Sequence, residues 1–218
     1  MSDMSATVQD YLKHIWAATE WSNEPVKTSS LARQMGLSAS TVSETIARLA
    51  REGLVEHEKY QAIRLTPEGT AHALAMVRAH RLIETFLHSS LGYSWDEVHV
   101  EADAIEHAVS PRFIDAIDEF LGRPTHDPHG DPIPTRAGIL PRTRAVPLRE
   151  AADGIVTIVR VDDGDPELLR EASRLGLHPG HTVTVVDGMV RGARDSENVG
   201  ACADIVWVTD TSSHPPIP

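Results

Sequence analysis

The chain has 218 residues, 41% hydrophobic and 24% charged, a composition typical of a globular protein with two or three small domains. Its one cysteine, Cys202, excludes an intramolecular disulfide framework, and no apolar run reaches the roughly 18 residues of a membrane span. We therefore expect a cytoplasmic protein without a signal peptide. The formal net charge of −12 disfavours unspecific attachment to nucleic acid, so DNA binding would depend on a local cluster of cations.

The first 70 residues predict three helices and a β-hairpin. The predicted elements are a helix over 7–22, a short helix from Thr28 or Ser29 to Gly36, a helix from Ser40 to Gly53, and strands over 54–58 and 62–66. Three helices followed by a hairpin is the order of a winged helix-turn-helix. The alternative is a small helical domain without a nucleic-acid role, because helix pairs joined by short turns are common.

The start of the third helix carries the candidate DNA contacts. Hydroxyls and free backbone N–H groups at a helix N-terminus can meet phosphates, and basic side chains nearby add further contacts. The candidates are Ser38, Ser40, Thr41, Ser43, Arg48, Arg51, Lys59 and Arg64. Each basic residue taken alone is more often a solvated surface charge.

The rest of the chain predicts a helical segment followed by a small β domain. Helical periodicity continues over 67–91, from Ser94 to about Ser110, and over 112–121, before an irregular proline-rich stretch over 122–147. Three alternating runs follow, GIVTIVRV, HTVTVV and ACADIVWVT, with one helix over 166–175 between the first two. They predict a small β-barrel, so the fold class is mainly α with a small β domain.

Acids and histidines recur at helical spacing in the middle third of the chain. His99, Asp103, Glu106 and His107 stand at i, i+4, i+7 and i+8, which places them on one helical face, and His80 and Glu84 form a further i, i+4 pair. Carboxylates and imidazoles together suit Mn²⁺, Fe²⁺, Co²⁺ or Zn²⁺. The alternative is a solvated polar face that binds nothing.

Several segments resemble the diphtheria-toxin-repressor family of metal-dependent regulators, and particularly its manganese-responsive members. They are TVQDYLKHIW, LSASTVSETIARLAREGLV, AHRLIETFL, EVHVEADAIEHAVS and PHGDPIP. The resemblance covers about residues 5–140, and more loosely 150–210. It implies a winged helix-turn-helix over 1–73, a helical dimerisation and metal-binding domain over 74–141, a proline-rich linker over 142–151 and an SH3-like domain over 152–211.

The resemblance also implies two metal sites. The primary site matches Asp10, Asp103, Glu106 and His107. The second matches His80, Glu84 and His99, completed from the SH3-like domain by Asp165, with Glu167 as a fallback. Iron-responsive relatives have Met and Cys where this chain has Asp10 and Asp103, and hard carboxylates favour Mn²⁺ over softer ions.

Two further positions carry implications from the family. Glu44 stands where the family often has a base-contacting glutamine, and a carboxylate there could accept from a cytosine amino group. Arg81 matches an anion-binding position, but Asp127 replaces its partner serine, so we do not expect that anion.

The resemblance implies a homodimer that binds operator DNA when loaded with metal and represses metal-homeostasis genes. Metal binding would crosslink Asp10 of the DNA-binding domain to the dimerisation domain. We expect Mn²⁺ as the ion, with Fe²⁺ as the alternative and Co²⁺, Zn²⁺ or Cd²⁺ as substitutes in vitro. Two other functions stay open: a winged-helix regulator that answers to a small organic effector, and a metallohydrolase, for which no motif is found.

Overall fold

The computed structural model describes residues 4–22, 24–57, 61–141, 144–186, 189–191 and 199–209. The chain divides into two compact units, one formed by residues 1–78 and 134–139, the other by residues 79–133 and 140–218. The division falls inside one long helix, α4 (Pro67–Leu91). Among the described residues, no helix is long and apolar enough to cross a membrane.

The first unit contains the predicted three helices and hairpin. They are α1 (Ala6–Glu20), α2 (Thr28–Gln34), α3 (Ala39–Arg51), β1 (Val55–Glu56) and β2 (Arg64–Leu65). The two strands are antiparallel, with Val55 opposite Leu65. Their apolar faces form one core around the fully buried Tyr11, Leu12, Ile46 and Leu49.

Two helix starts in this unit differ from the prediction by a residue or two. Lys27, rather than Thr28 or Ser29, caps α2, because the Ser30 hydroxyl accepts the Lys27 backbone N–H at 3.2 Å. Helix α3 begins at Ala39, because the Ser38 hydroxyl accepts the Thr41 backbone N–H at 3.2 Å and so caps the helix.

The helical part of the second unit contains the end of α4 with α5 (Val98–Ile105) and α6 (Pro111–Phe120). The prediction of one helix up to Ser110 is wrong, since α5 ends at Ile105 and a turn follows it. Ser110 instead caps α6, where its hydroxyl accepts the Phe113 backbone N–H. Leu82, Ile83 and Val98 lie at the centre of the core between these helices.

The β part of the second unit is a five-stranded antiparallel sheet in the order β3-β7-β4-β5-β6. Its elements are β3 (Ala145–Pro147), β4 (Gly154–Val161), α7 (Pro166–Arg174), β5 (Thr182–Val186), β6 (Met189–Arg191), α8 (Cys202–Ile205) and β7 (Val206–Thr209). The ACADIVWVT run is therefore only half strand. Its first half is the short helix α8, which buries the Cys202 side chain against the sheet core.

A tight turn over 127–131 follows α6 and is closed by Asp127. The Oδ1 atom of Asp127 accepts the backbone N–H groups of His129 and Asp131, each at 2.9 Å. The His129 carbonyl then accepts the Val161 N–H at 2.9 Å, which joins the turn to β4. Part of the stretch predicted as irregular is thus held in a fixed conformation.

Gly130 occupies the tightest position of this turn. Its φ is +90°, in the region that favours glycine, and a Cβ atom there would stand 2.1 Å from the Val159 carbonyl oxygen. Gly122, at the end of α6, has a similar φ of +76°, but a Cβ atom there would meet nothing within 4 Å. The two glycines therefore share a backbone conformation and differ only in steric space.

We predict that Gly130→Ala lowers the free energy of unfolding by more than Gly122→Ala does. Both variants carry the strain of a left-handed alanine, about 1–2 kcal/mol, and Gly130→Ala adds about 1–3 kcal/mol of overpacking. Chemical denaturation of both proteins measures the difference. Equal losses would show that the approach to Val159 does not constrain the turn.

Candidate metal centre

His80 lies on α4 and is buried between two groups of acids. Its Nδ1 atom is 2.7 Å from Oε2 of Glu106 and 3.3 Å from Oδ1 of Asp103, and its Nε2 atom is 3.0 Å from Oε1 of Glu84. Because ionised carboxylates only accept hydrogen bonds, both ring nitrogens face acceptors. The sequence assigned His80 to the second site alone, whereas it contacts acids assigned to both sites.

His99, on α5, faces Asp163, which lies just after β4. The Nδ1 atom of His99 is 2.7 Å from Oδ2 of Asp163 and 3.4 Å from Oε1 of Glu84. The His80 and His99 rings are edge-to-face, with centroids 4.9 Å apart. Each of His80, Glu84, His99 and Asp163 offers a ligand atom within 4.8 Å of the others. The four residues form the first cluster.

Protons balance the charges of the first cluster when no metal is bound. Burial opposes a charged ring at His99, but hydrogen bonds to Asp163 and Glu84 outweigh it and raise the pKa of His99 to about 11. Burial would also raise the pKa of Glu84, yet the charge and hydrogen bond of His80 lower it to about 2. The pKa of Asp163 is held well below its ordinary value by His99, against the effect of burial. A positive charge is therefore required at this point.

A second cluster shares Glu84 and includes the turn over 127–131. Glu84, Asp127 and His129, all buried, offer ligand atoms within 4.8 Å of one another. The Nε2 atom of His129 donates to the Trp95 carbonyl at 2.9 Å. Its Nδ1 atom is fully buried and has no hydrogen-bond partner among the described residues, and carboxylate oxygens of Glu84 and Asp163 each lie 3.9 Å away.

Two arginines lie beside the second cluster. The Nε atom of Arg81 is 3.5 Å from Oδ2 of Asp127, and the Nε atom of Arg160, on β4, is 2.6 Å from Oδ1 of Asp131. The pKa of Asp127 is nevertheless raised to about 8, by burial and by the neighbouring carboxylates of Asp131 and Glu84. Arg81 thus faces the carboxyl groups of Asp127 and Asp131 at the position where the resemblance implies an anion in other members.

The residues predicted for the primary site fall on both units. Glu106 is buried at the end of α5, Asp103 is about half exposed, and the Nε2 atom of His107 is 3.5 Å from Oε1 of Glu106. Glu106 also offers a ligand atom within 4.8 Å of those of His80 and Asp103. Asp10 lies on α1, in the first unit.

The structure brings Asp163, and not the predicted Asp165, to His99 and Glu84. The Oδ1 atom of Asp165 caps α7, accepting the backbone N–H groups of Glu167 and Leu168 at 2.9 and 3.2 Å. The fallback, Glu167, lies in the first turn of that helix and is exposed. Both acids lie between β4 and α7, and only the path of this connection decides which of them faces His99. His129 was missed because the PHGDPIP segment was read only for its resemblance.

Most of the predicted DNA contacts lie at the start of α3, and Arg64 lies on β2. Ser38, Ser40, Thr41, Ser43 and Glu44 are exposed there, as is Arg51 farther along the helix. The Ser38 hydroxyl is engaged as the helix cap and lies 2.8 Å from the hydroxyls of both Ser40 and Thr41. Arg48 is half-buried and pairs with Glu52 at 3.3 Å. Lys59 lies outside the described residues.

The buried clusters fit a divalent ion. Carboxylate and imidazole groups face one another, the pKa values of His99 and Glu84 are strongly displaced, and the buried Nδ1 atom of His129 lies 3.9 Å from carboxylate oxygens of Glu84 and Asp163. Oxygen and imidazole ligands without sulfur suit Mn²⁺ and Fe²⁺ as well as Zn²⁺. A bound ion would replace protons as the source of positive charge.

Comparisons with known proteins agree with this chemistry. Family models match residues 3–63 (iron dependent repressor, N-terminal DNA binding domain), 66–135 (iron dependent repressor, metal binding and dimerisation domain) and 146–193 (FeoA domain). The chain is 32% identical over 198 residues to the iron-dependent repressor IdeR of Mycobacterium tuberculosis (strain ATCC 25618 / H37Rv). This alignment covers 85% of the chain and 86% of IdeR.

Solved structures of similar proteins extend the comparison over nearly the whole chain. One, described as a manganese-dependent transcriptional repressor in complex with manganese, is 44% identical, with a TM-score of 0.86 over 93% of this chain and 99% of that one. The manganese regulator SloR is 32% identical, with a TM-score of 0.78 over 95% of this chain and 100% of its own. The chain therefore belongs to the diphtheria-toxin-repressor family of metal-dependent transcriptional repressors.

Proposed function

We propose that this repressor responds to Mn²⁺, binds operator DNA as a homodimer and controls genes of metal homeostasis. The observation that carries the proposal is the first cluster, in which His80, Glu84, His99 and Asp163 converge within 4.8 Å. Buried acids and imidazoles in this arrangement need a cation, and a divalent ion supplies it at one point. The family supplies the link from metal to transcription.

The choice of Mn²⁺ rests on ligand hardness. The proposed ligands of the primary site are Asp10, Asp103, Glu106 and His107, three carboxylates and one imidazole. Carboxylates suit Mn²⁺, whereas sulfur ligands would favour softer ions. The similarity to a manganese-bound repressor supports the same choice, and the identity to the iron-dependent IdeR keeps Fe²⁺ as the alternative. Co²⁺, Zn²⁺ and Cd²⁺ would act as substitutes in vitro.

A second ion would be held by the first cluster with help from the 127–131 turn. His80, Glu84, His99 and Asp163 are the proposed ligands, and Asp127 and His129 lie beside Glu84. The hydrogen bond from Nε2 of His129 to the Trp95 carbonyl fixes the tautomer that leaves Nδ1 free to bind. The ion would then tie α4, α5 and the end of β4 together.

The coupling of metal to DNA would run through the primary site. Asp10 belongs to the segment that matches the DNA-binding domain, while Asp103, Glu106 and His107 belong to the segment that matches the metal-binding and dimerisation domain. An ion shared by both segments would favour one placement of α3 in each protomer of the dimer. The two recognition helices must lie about 34–36 Å apart to read successive turns of DNA. Metal would act by its differential affinity for that state.

The exposed hydroxyls at the start of α3 would supply the contacts to DNA. Ser40, Thr41 and Ser43 are exposed in the first turns, where backbone N–H groups and hydroxyls can meet phosphates. Glu44 is exposed on the same helix and could accept from a cytosine. We keep Ser38, Arg48, Arg51 and Lys59 as further proposed contacts. Sequence reading would be modest and phosphate contacts dominant.

The function is tested by selecting binding sites from a random double-stranded DNA library. Selection is run in three parallel conditions at the same ionic strength: with added Mn²⁺, with added Fe²⁺ under anaerobic conditions, and with EDTA. We expect a palindromic site to be enriched with Mn²⁺ and lost with EDTA. Enrichment that is unchanged by EDTA would overturn metal control and favour a regulator that answers to an organic effector. A response to Fe²⁺ alone would retain metal control but exclude Mn²⁺ as the activating ion.

For the coupling between metal and DNA, we predict that Asp10→Ala weakens Mn²⁺-dependent binding to the selected site by at least about tenfold, because one carboxylate ligand is lost. Fluorescence anisotropy with labelled DNA at saturating Mn²⁺ measures the affinity. Glu20→Ala, which removes an acid from the other end of α1, is the matched control and should bind as the wild type does. Full Mn²⁺-dependent affinity in Asp10→Ala would remove Asp10 from the mechanism.

For the second ion, we predict that Asp163→Ala impairs Mn²⁺ binding and that Asp165→Ala, two residues away, impairs only the stability of the protein. Asp163→Ala should lose one bound Mn²⁺ per chain, because its carboxylate faces His99 and Glu84. Asp165→Ala should bind Mn²⁺ normally and lose about 1 kcal/mol of stability as a helix cap. Equilibrium dialysis and chemical denaturation measure the two effects. Loss of Mn²⁺ in Asp165→Ala alone would restore the original assignment.

A further inference from the structure

The second cluster (Glu84, Asp127 and His129) contains a buried ring nitrogen that no hydrogen bond explains. The Nδ1 atom of His129 has no hydrogen-bond partner among the described residues, and it lies 3.9 Å from Oε2 of Glu84, too far for a hydrogen bond. Two ligand atoms about 2.0–2.2 Å from one divalent ion lie roughly 3–4.4 Å apart, so this separation suits a shared ion. The Oδ2 atom of Asp163 is equally far from Nδ1, but it is 2.7 Å from His99 and so belongs to the first cluster.

Glu84 faces the two clusters with different oxygen atoms. Its Oε1 atom is 3.0 Å from Nε2 of His80 and 3.4 Å from Nδ1 of His99, whereas its Oε2 atom faces His129. An ionised carboxylate has lone pairs on both oxygens, so each oxygen can bind a different ion. Ions in the two-metal sites of proteins typically lie about 3.5–4 Å apart. Glu84 is therefore placed to link an ion in the first cluster to an ion in the second.

Asp127 offers a third ligand, and its other contacts leave it able to bind. Its Oδ1 atom accepts the backbone N–H groups of His129 and Asp131, and its Oδ2 atom is 3.5 Å from Nε of Arg81. A carboxylate has about four lone-pair sites, so these contacts do not use all of them. Glu84, Asp127 and His129 each offer a ligand atom within 4.8 Å of the others, and all three residues are buried.

The His129 ring is held in position without an ion. Its Nε2 atom donates to the Trp95 carbonyl at 2.9 Å, and its ring stacks on that of Trp95 with centroids 5.5 Å apart. The Trp95 indole N–H donates to the Pro128 carbonyl at 3.1 Å, which joins Trp95 to the same turn. Metal-binding histidines typically donate their other ring N–H to such a fixed acceptor. The Nδ1 atom is therefore aimed in advance at the acids of the second cluster.

We propose that Glu84, Asp127 and His129 hold a third divalent ion, of the Mn²⁺ and Fe²⁺ class, and that Glu84 links it to the ion of the first cluster. Two carboxylates with one imidazole suit ions of this class. The link rests on the proposed function, because its other ion is the one proposed for the first cluster. The ligands come from α4 and from the 127–131 turn, so the third ion would join these two parts of the second unit.

The test counts the Mn²⁺ ions bound per full-length chain by equilibrium dialysis. The variant is Asp127→Asn, because an amide oxygen can still accept the two backbone N–H groups of the turn but carries no negative charge. Asp131→Asn is the matched control, since it makes the same change in the same turn, at a carboxylate that pairs with Arg160 and belongs to neither cluster. We expect Asp127→Asn to bind one Mn²⁺ fewer than the wild type and Asp131→Asn to bind as many.

Equal numbers of Mn²⁺ in Asp127→Asn and the wild type would overturn the third ion. An equal loss in Asp131→Asn would overturn it as well, because any disturbance of the turn would then have the same effect. His129→Phe, which keeps a ring beside Trp95 but has no nitrogen, should lose the same ion as Asp127→Asn. Retention of that ion in His129→Phe would remove His129 from the site. Circular dichroism of each metal-free variant verifies that the fold is retained.

Electron paramagnetic resonance at saturating Mn²⁺ tests the link through Glu84. Two Mn²⁺ ions about 3.5–4 Å apart couple magnetically, so we expect a coupled signal in the wild type. Asp127→Asn and Asp163→Ala should each lose this signal, because each variant keeps only one ion of the pair. Signals of isolated Mn²⁺ ions alone in the wild type would overturn the link.

The comparison of Asp127→Asn with Asp163→Ala separates this inference from the proposed function. If Asp163→Ala binds as many Mn²⁺ ions as the wild type and Asp127→Asn binds one fewer, the ion proposed for the first cluster is overturned and the ion at His129 is supported. A loss in Asp163→Ala without a loss in Asp127→Asn supports the proposed function and overturns the third ion.

Discussion

The carboxylates that are buried around His80 and His129 need positive charge nearby. The arrangement of the candidate metal centre depends on this requirement. Glu84, Glu106 and Asp127 are buried, and moving an ionised carboxylate out of water costs several kcal/mol. His80 contacts two of these carboxylates, because its Nδ1 atom faces Glu106 and its Nε2 atom faces Glu84. Without metal the balance depends on protonated imidazoles, whereas a divalent ion concentrates the same charge at one point.

The residues that meet this charge requirement come from distant parts of the sequence and lie together in the first cluster. Glu84 comes from α4, His99 from α5 and Asp163 from the end of β4, so a single ion would contact three elements. The turn over 127–131 is held against β4 by the hydrogen bond to Val161, which keeps His129 buried beside Glu84. Helix α4 begins in the first unit and carries His80 and Glu84 in the second.

The sequence predicted the bounds of an element well where a single helical or alternating pattern of apolar residues continued from one end of the element to the other. Helix α4 and strand β4 have the predicted ends, because Pro67 starts the helix and GIVTIVRV alternates throughout. The prediction failed where local signals are ambiguous, as at α8, whose small residues fit a helix or a strand. The candidate site was likewise predicted where its residues are close in sequence and not where they are far apart. The i, i+4 spacing placed His80 and Glu84 together, but whether Asp163 or Asp165 joins them depends on the path of the chain between β4 and α7, which only tertiary structure decides.

On the proposed mechanism, a divalent ion takes the place of protons in the first cluster. Calorimetric titration of the full chain with Mn²⁺ at pH 7, in two buffers of different ionisation enthalpy, measures the protons released on binding. Hydrogen bonds to Asp163 and Glu84 raise the pKa of His99 to about 11, which favours the protonated ring when no metal is bound, so binding should release at least about one proton per chain. Mn²⁺ binding with no net release of protons would contradict this account.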